Sequence, residues 1–259
     1  MNWSRALFTG VAFVFVQIWL LNGEVVALEN KAEEKKMSQT EALQEKAQES
    51  VNRIPAENRK VMAAAIKELI ESGIEKSVVK KGEKIPEFVL PNSKGEKVSL
   101  KLLLEDGPVI MVFYRGGWCP YCNINLHYLQ KELPEIEKQG AKIVAISPET
   151  PDNSLSTKEK NSLKFEVLSD SGNSYARKLG LVFKLPPELV SLYKNFGIDL
   201  EKANGNSSNE LPLSATFVVD KSGKIFYRYV DADYKKRMDP SDIVVKLKEL
   251  NQSKEACCK

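Results

Sequence analysis

The sequence predicts an α/β fold: a mixed central sheet flanked by helices, with an N-terminal helical extension. Three observations carry this. Beyond Lys81, short apolar runs alternate with helical stretches. Two of the runs, residues 108–114 and 141–147, enclose a helical stretch from about Cys122 to Gln139 that Gly140 closes. Strand, helix, strand is the pattern of a parallel βαβ unit. Later, residues 214–220 and 224–230 flank Lys221-Ser222-Gly223 as the arms of a hairpin.

Taken in order, residues 1–27 read as a targeting segment. Arg5 precedes a mostly apolar run over residues 6–21, and Val25 and Ala27 occupy the small-residue positions before a cleavage site. Cleavage after Ala27 is expected, which makes the chain exported or periplasmic. The alternative is an uncleaved membrane anchor through residues 6–21, although that run is short for a span of about 20 residues. If the segment is no signal at all, the chain is cytoplasmic. No cysteine lies near the cleavage site, which excludes a lipoprotein anchor.

Residues 28–80 are charged and helical in pattern. Ser38 and Glu41 have the spacing of a capping box, and Pro55 suits the first turn of a second helix. Val61, Met62, Ala65, Ile66, Leu69 and Ile70 then repeat at helical spacing up to Gly73. This stripe is expected to dock on the domain core, with a dimer contact as the alternative. Residues 81–250 form the main domain, whose last helix opens at Asp239-Pro240 and ends at Leu250. Pro134 is expected to kink or divide the central helix. Residues 251–259 read as a polar, flexible tail.

Composition narrows the function. Hydrophobic residues make up 42% of the chain, enough for a core that needs no disulfide staples. The 38 basic and 35 acidic residues leave a net charge of +3, and no basic stripe interleaves with aromatics, so nucleic acid is not an expected partner. The four cysteines fall in two tight pairs, Cys119 with Cys122 and Cys257 with Cys258. A disulfide framework would spread them out. A structural zinc site wants four ligands and only one histidine, His127, is available, so neither metal nor cofactor is expected. His127 itself reads as a surface or packing residue. Asp231, Asp233 and Asp239 lie beside Lys235, Lys236 and Arg237 and read as a solvated charged segment.

The chemistry concentrates in Trp118-Cys119-Pro120-Tyr121-Cys122, at the turn from the first central strand into the first central helix. Backbone N–H groups at a helix start stabilise an anion, and such a setting lowers a cysteine pKa from about 8.5 to ~3.5–7.5. Two intervening residues put both sulfurs on the first turn. Pro120 limits the bending of the loop, and Gly116 and Gly117 are expected to leave the approach to the thiols open.

These residues resemble the active site of thioredoxin-like proteins. More of the chain, roughly residues 81–250, resembles peroxiredoxins of the alkyl hydroperoxide reductase/thiol-specific antioxidant family. Lys84-Ile85-Pro86-Glu87-Phe88-Val89-Leu90-Pro91 is similar to that family's opening segment, and Thr216-Phe217-Val218-Val219-Asp220 to its late strand. In between, Ile146-Ser147, then Asn153-Ser154-Leu155-Ser156, then Phe165-Glu166-Val167-Leu168-Ser169-Asp170 are similar to its middle. A subgroup with Phe-Tyr-Arg-Gly-Gly-Trp-Cys-Pro-Tyr-Cys and Val-Asp-x-Asp-Tyr matches residues 113–122 and 230–234.

The resemblance implies a thioredoxin-like fold and a thioredoxin-dependent thiol peroxidase whose Cys119 and Cys122 form a redox-active disulfide. Aligned on Phe113-Tyr114, the family's peroxidatic cysteine falls on Cys122. The family's peroxide-binding threonine falls on Cys119, its proline on Arg115, and its late arginine near Ser214, with Pro212 two residues earlier. Both peroxide-polarising residues are therefore replaced, and Arg115 is the candidate substitute charge, with a surface role as its alternative. Trp118 and Pro120 are expected to support the site. The implied partners are a peroxide and thioredoxin or another dithiol reductant.

Two chemistries use the same pair with swapped roles. In a peroxidase, Cys122 attacks the O–O bond and Cys119 condenses with the resulting sulfenic acid. In a thiol–disulfide oxidoreductase, Cys119, expected to be the more exposed, attacks a substrate disulfide and Cys122 resolves it. A non-catalytic redox sensor would oxidise without turnover. Cys257 and Cys258 read as an electron relay, a subunit link, a metal site or incidental tail thiols.

Overall fold

A computed structural model describes residues 37–257. The targeting segment at residues 1–27, the stretch from there to residue 36, and Cys258 lie outside the described residues. Two helices come first, α1 (Gln39–Arg53) and α2 (Ala56–Glu71). A small hairpin, β1 (Val89–Pro91) and β2 (Lys97–Ser99), and a short helix α3 (Leu100–Asp106) lead into the central unit. That unit is β3 (Val109–Phe113), α4 (Pro120–Lys138), β4 (Lys142–Ser147), α5 (Pro151–Lys160) and β5 (Glu166–Ser169). A helical excursion follows: α6 (Ser174–Lys178), β6 (Val182–Lys184), α7 (Pro187–Asn195), α8 (Leu200–Asn204) and β7 (Glu210–Pro212). The chain closes with β8 (Ser214–Val219), β9 (Ile225–Asp231) and α9 (Pro240–Cys257).

The five-stranded sheet has the order β5-β4-β3-β8-β9, with β3, β4 and β5 parallel and β8 and β9 antiparallel. It is the mixed sheet that the βαβ pattern and the hairpin implied. Strand β3 is buried along its whole length. Its side chains alternate: Ile110 and Val112 join the core under α4 and α9, while Val109, Met111 and Phe113 join the core on the other face. A strand buried on both faces has to read as an unbroken apolar run.

Helix α4 buries Leu126, Leu129, Leu133 and Ile136 against the sheet. It runs through Pro134 without dividing, because this apolar face is held by the core on either side of the one missing amide bond. Helix α9 continues past Leu250 to Cys257, since residues 251–257 contain no proline or glycine to stop it.

The helical pair belongs to the same compact unit as the sheet. Helix α1 is tied in by Gln39, which is 1% exposed: its Nε2 donates to the Met238 carbonyl (3.0 Å) and its Oε1 accepts from Asn125 Nδ2 (2.8 Å). Pro55 is the N-cap of α2 and not part of its first turn. Gly73 takes the left-handed conformation (φ 68°) just past the helix end, as a stop signal there requires. The α2 stripe packs Val61, Met62 and Ala65 on a small core around Leu189 and Tyr193, yet none of its residues is buried, and Ile70 is 51% exposed. Leu69 packs on the sheet core, so the stripe docks as expected, and Met62 and Ile66 also wall a groove.

Among the described residues no helix is long and apolar enough to cross a membrane.

Candidate active site

Cys119 is the N-cap of α4, Pro120 its first residue, and Cys122 lies in its first turn. Both thiols are free and both are buried, Cys119 at 1% and Cys122 at 0% exposure. The expected exposure of Cys119 therefore fails in number but holds in position. Cys119 lines a groove of about 360 Å³ whose walls come from α1, α2, Trp118, Tyr193 and Tyr234, while Cys122 sits behind it. The helical pair covers what would otherwise be an open helix start.

The two sulfurs are unlike. Burial opposes a charge on Cys122, but the Cys119 thiol donates to it, the charges of Arg237 and Arg115 face it, and the Arg115 backbone N–H adds a bond. Together they lower its pKa to about 5. Cys119 moves the opposite way, raised by burial and by the neighbouring Cys122 thiolate. These surroundings favour a thiolate on Cys122 with the Cys119 thiol donating to it.

Arg237 Nη2 stands 3.4 Å from Cys122 Sγ, and its Nη1 donates to the carbonyls of Tyr234 and Lys236 (2.7 Å to the latter), which fixes the guanidinium. Read from sequence as part of a solvated segment, Arg237 is instead a member of the site. Its acidic neighbours do pair outward, Asp231 with Lys236 and Asp233 with Lys235.

Arg115 is no surface residue: it is 2% exposed. Its guanidinium lies 4.0 Å from the ring centre of Tyr234, 4.9 Å from Trp118 and 5.5 Å from Tyr193, and it donates to the Tyr193 hydroxyl. An aromatic box suits a buried guanidinium that has no carboxylate partner. Among the described residues the Nε atoms of both Arg115 and Arg237 are buried without a hydrogen-bond partner. Trp118, expected to support the site, lies under the Arg115 guanidinium and meets the Tyr193 ring at a tilt of 57°. Pro120 is exposed on the groove rim.

Gly116 and Gly117 serve a purpose other than open access. A Cβ on Gly117 would stand 2.1 Å from Thr157 Oγ1, and one on Gly116 (φ 150°) 2.3 Å from Trp118 Nε1 and 3.0 Å from Glu149 Oε1. They let the loop lie directly on α5 and its approach. Glu149, which sequence reading passed over, accepts the Gly117 N–H at 2.9 Å.

Ser214, where the late arginine of the resembled family falls, is buried with its hydroxyl unpaired. His127 is exposed, as expected. Among the described residues no cluster of His, Cys, Asp and Glu could hold a metal ion.

A family model described as the AhpC/TSA family matches residues 81–228. Peroxiredoxin Q, chloroplastic, of Oryza sativa subsp. japonica is 29% identical over 151 residues, 58% of this chain. This chain spans 59% of that relative's length. Thiol-disulfide oxidoreductase ResA of Bacillus thuringiensis subsp. konkukian is 23% identical over 159 residues, 61% of this chain and 74% of that one. The crystal structure of peroxidoxin BcpB from Mycobacterium tuberculosis superposes with a TM-score of 0.53 at 21% identity, covering 66% of this chain and 97% of that one. The last likeness shows the fold, a thioredoxin-type α/β domain.

Proposed function

This chain belongs to the AhpC/TSA family, and on that premise we propose that it is a thiol-dependent peroxidase acting on hydrogen peroxide or organic hydroperoxides. The observation that carries the reading is the setting of Cys122: it lies in the first turn of α4 with Arg237 Nη2 3.4 Å from its sulfur, and Arg237, Arg115 and the Cys119 thiol favour its thiolate. A thiolate is the form that attacks an O–O bond. The threonine and late arginine of the resembled family are absent at the matching positions, but the charges of Arg237 and Arg115 act on Cys122, and fixed positive charge stabilises an oxyanion as it develops. Cys119, whose thiol hydrogen-bonds Cys122, then condenses with the sulfenic acid, and an external dithiol of the thioredoxin type reduces the disulfide.

The test is peroxide consumption with thioredoxin and its reductase. Cys122→Ser is expected to abolish it, and Cys119→Ser to stop recycling after one turnover. If Cys122→Ser retains turnover while Cys119→Ser loses it, the assignment of roles is wrong.

One observation favours a second reading. The thiol facing the groove is Cys119, not the thiolate, which is the arrangement a thiol–disulfide oxidoreductase would use. Reduction of insulin disulfides without peroxide turnover would select it. We also propose export after cleavage at Ala27, which would make the reductant an extracytoplasmic dithiol. N-terminal sequencing of the protein isolated from its cell envelope checks the cleavage.

A further inference from the structure

On the other side of the active loop lies a cleft of about 270 Å³, lined by Gly117, Trp118, Glu149 and Thr157 among others. Glu149 on its wall is 3% exposed. Its Oε2 accepts the Gly117 N–H at 2.9 Å and the Thr157 hydroxyl at 3.4 Å. Its Oε1 faces the same side of Gly116 as the Trp118 indole nitrogen, which is buried without a hydrogen-bond partner. No cation pairs with Glu149 among the described residues, although Lys160 and Lys202 line the cleft. A buried carboxylate with two hydrogen bonds and no counter-ion is costly, and a proton relieves it.

We infer that Glu149 is the proton partner of the dithiol: it holds a proton while Cys122 is a thiolate and gives it up when that sulfur is oxidised. The inference rests on reading Cys119 and Cys122 as a redox pair. The groups around the carboxyl are Cys122 on α4, Tyr114 after β3, the Gly117 amide and Thr157, with Lys160, Asp199 and Lys202 around the cleft. Burial pushes Glu149 up to about 7 against the Gly117 bond, and the Cys122 thiolate adds to the rise against the Thr157 bond. Removing the negative charge from Cys122 therefore weakens the hold on the proton.

The steps balance. The Cys122 sulfur bonds to the terminal oxygen of a hydroperoxide and the O–O bond breaks; sulfur loses two electrons and the peroxide gains them. The departing alkoxide, or hydroxide when the substrate is hydrogen peroxide, takes a proton from solvent, and Glu149, no longer facing a thiolate, releases its own to solvent. The Cys119 thiol and the Cys122 sulfenic acid then condense to a disulfide and one water. An external dithiol returns two electrons and two protons, one to Cys119 and one to Glu149, leaving Cys122 a thiolate again.

The experiment equilibrates the full chain with a glutathione couple over a pH series, beside Glu149→Gln. The glutamine keeps the side-chain shape and still accepts the Gly117 N–H. Near pH 7, reduction of the natural chain should take up an extra proton. Its exchange constant should then change up to tenfold more per pH unit than the variant's, about 30 mV for two electrons. Identical pH dependences overturn the inference. If the variant does not fold, an infrared difference spectrum of the natural chain at pH 7 decides. A protonated-carboxyl band present in the reduced form and lost on oxidation supports the inference, and a band indifferent to oxidation overturns it. A pair that never forms a disulfide at any pH overturns the redox-pair reading itself, and this inference with it.

Discussion

Cys122 owes its charge to Cys119 and Arg115, close by in sequence, and to one distant residue, Arg237. Arg237 lies far along the chain, yet its Nη2 is 3.4 Å from the sulfur. Arg237→Ala should raise the Cys122 pKa from about 5 by on the order of one unit, equivalent to about 1.4 kcal/mol. Alkylation by iodoacetamide at a pH below the new value should slow several-fold, and an unchanged pH profile would remove Arg237 from the site. Gly117→Ala acts differently. Its Cβ would meet Thr157 Oγ1 at 2.1 Å, and Thr157 is buried and cannot swing aside freely. The loop should lift and lose the Glu149 bond, at a cost of about 1–3 kcal/mol, measured by urea unfolding. The dithiol itself was legible in sequence because spacing and the strand-to-helix junction are local signals. Arg237 was not, because a charged segment reads as solvated until the fold turns one of its members inward. Glu149 carried a weaker signal: it follows β4 in Ser147-Pro148-Glu149-Thr150, at the carboxyl end of a parallel strand, where sites on such sheets gather.

Among the elements, α1 and α2 change the site most. The sheet, α4 and the β8–β9 hairpin were readable because both faces of a central strand and one face of a helix must be apolar, and that periodicity survives in any context. What the helical pair covers was not readable, since an amphipathic stripe states that a partner exists and not which one. Here the stripe packs Val61, Met62, Ala65 and Leu69 on core clusters, and Met62 and Ile66 also wall the groove beside Cys119. The hold on α1 is narrow and polar. Gln39→Ala would leave the Met238 carbonyl and Asn125 Nδ2 without their partner in a buried setting, at a cost of about 1–3 kcal/mol. Reduced urea resistance should come with faster alkylation of Cys119, because α1 walls the groove over that thiol. Faster alkylation without loss of stability would show that α1 moves independently of the fold.

For the whole molecule, the two displaced titrations pull stability in opposite directions with pH. Cys122 has a folded pKa of about 5 against an ordinary 9.0. Between those values the unfolded chain binds a proton that the folded chain does not, so stability rises with pH across that window. Its contribution is complete above the unfolded value and is lost as pH falls through about 5. Glu149 has a folded pKa of about 7 against 4.5. Here the folded chain binds the extra proton, so its contribution is complete below about 4.5 and is lost as pH rises through about 7. The size of that loss is about 3 kcal/mol. Glu149→Gln cannot titrate, so the reduced variant should gain on the natural chain by up to about that amount between pH 4.5 and 8. Reduced Cys122→Ser should lose ground over pH 5 to 9, the opposite sign. Urea unfolding of the three reduced proteins across this range separates the terms. In the oxidised protein Cys122 carries no charge, so its term should vanish and the Glu149 window should narrow from its upper end. A Glu149 term of the same width in both redox states would mean that the carboxyl does not sense the dithiol.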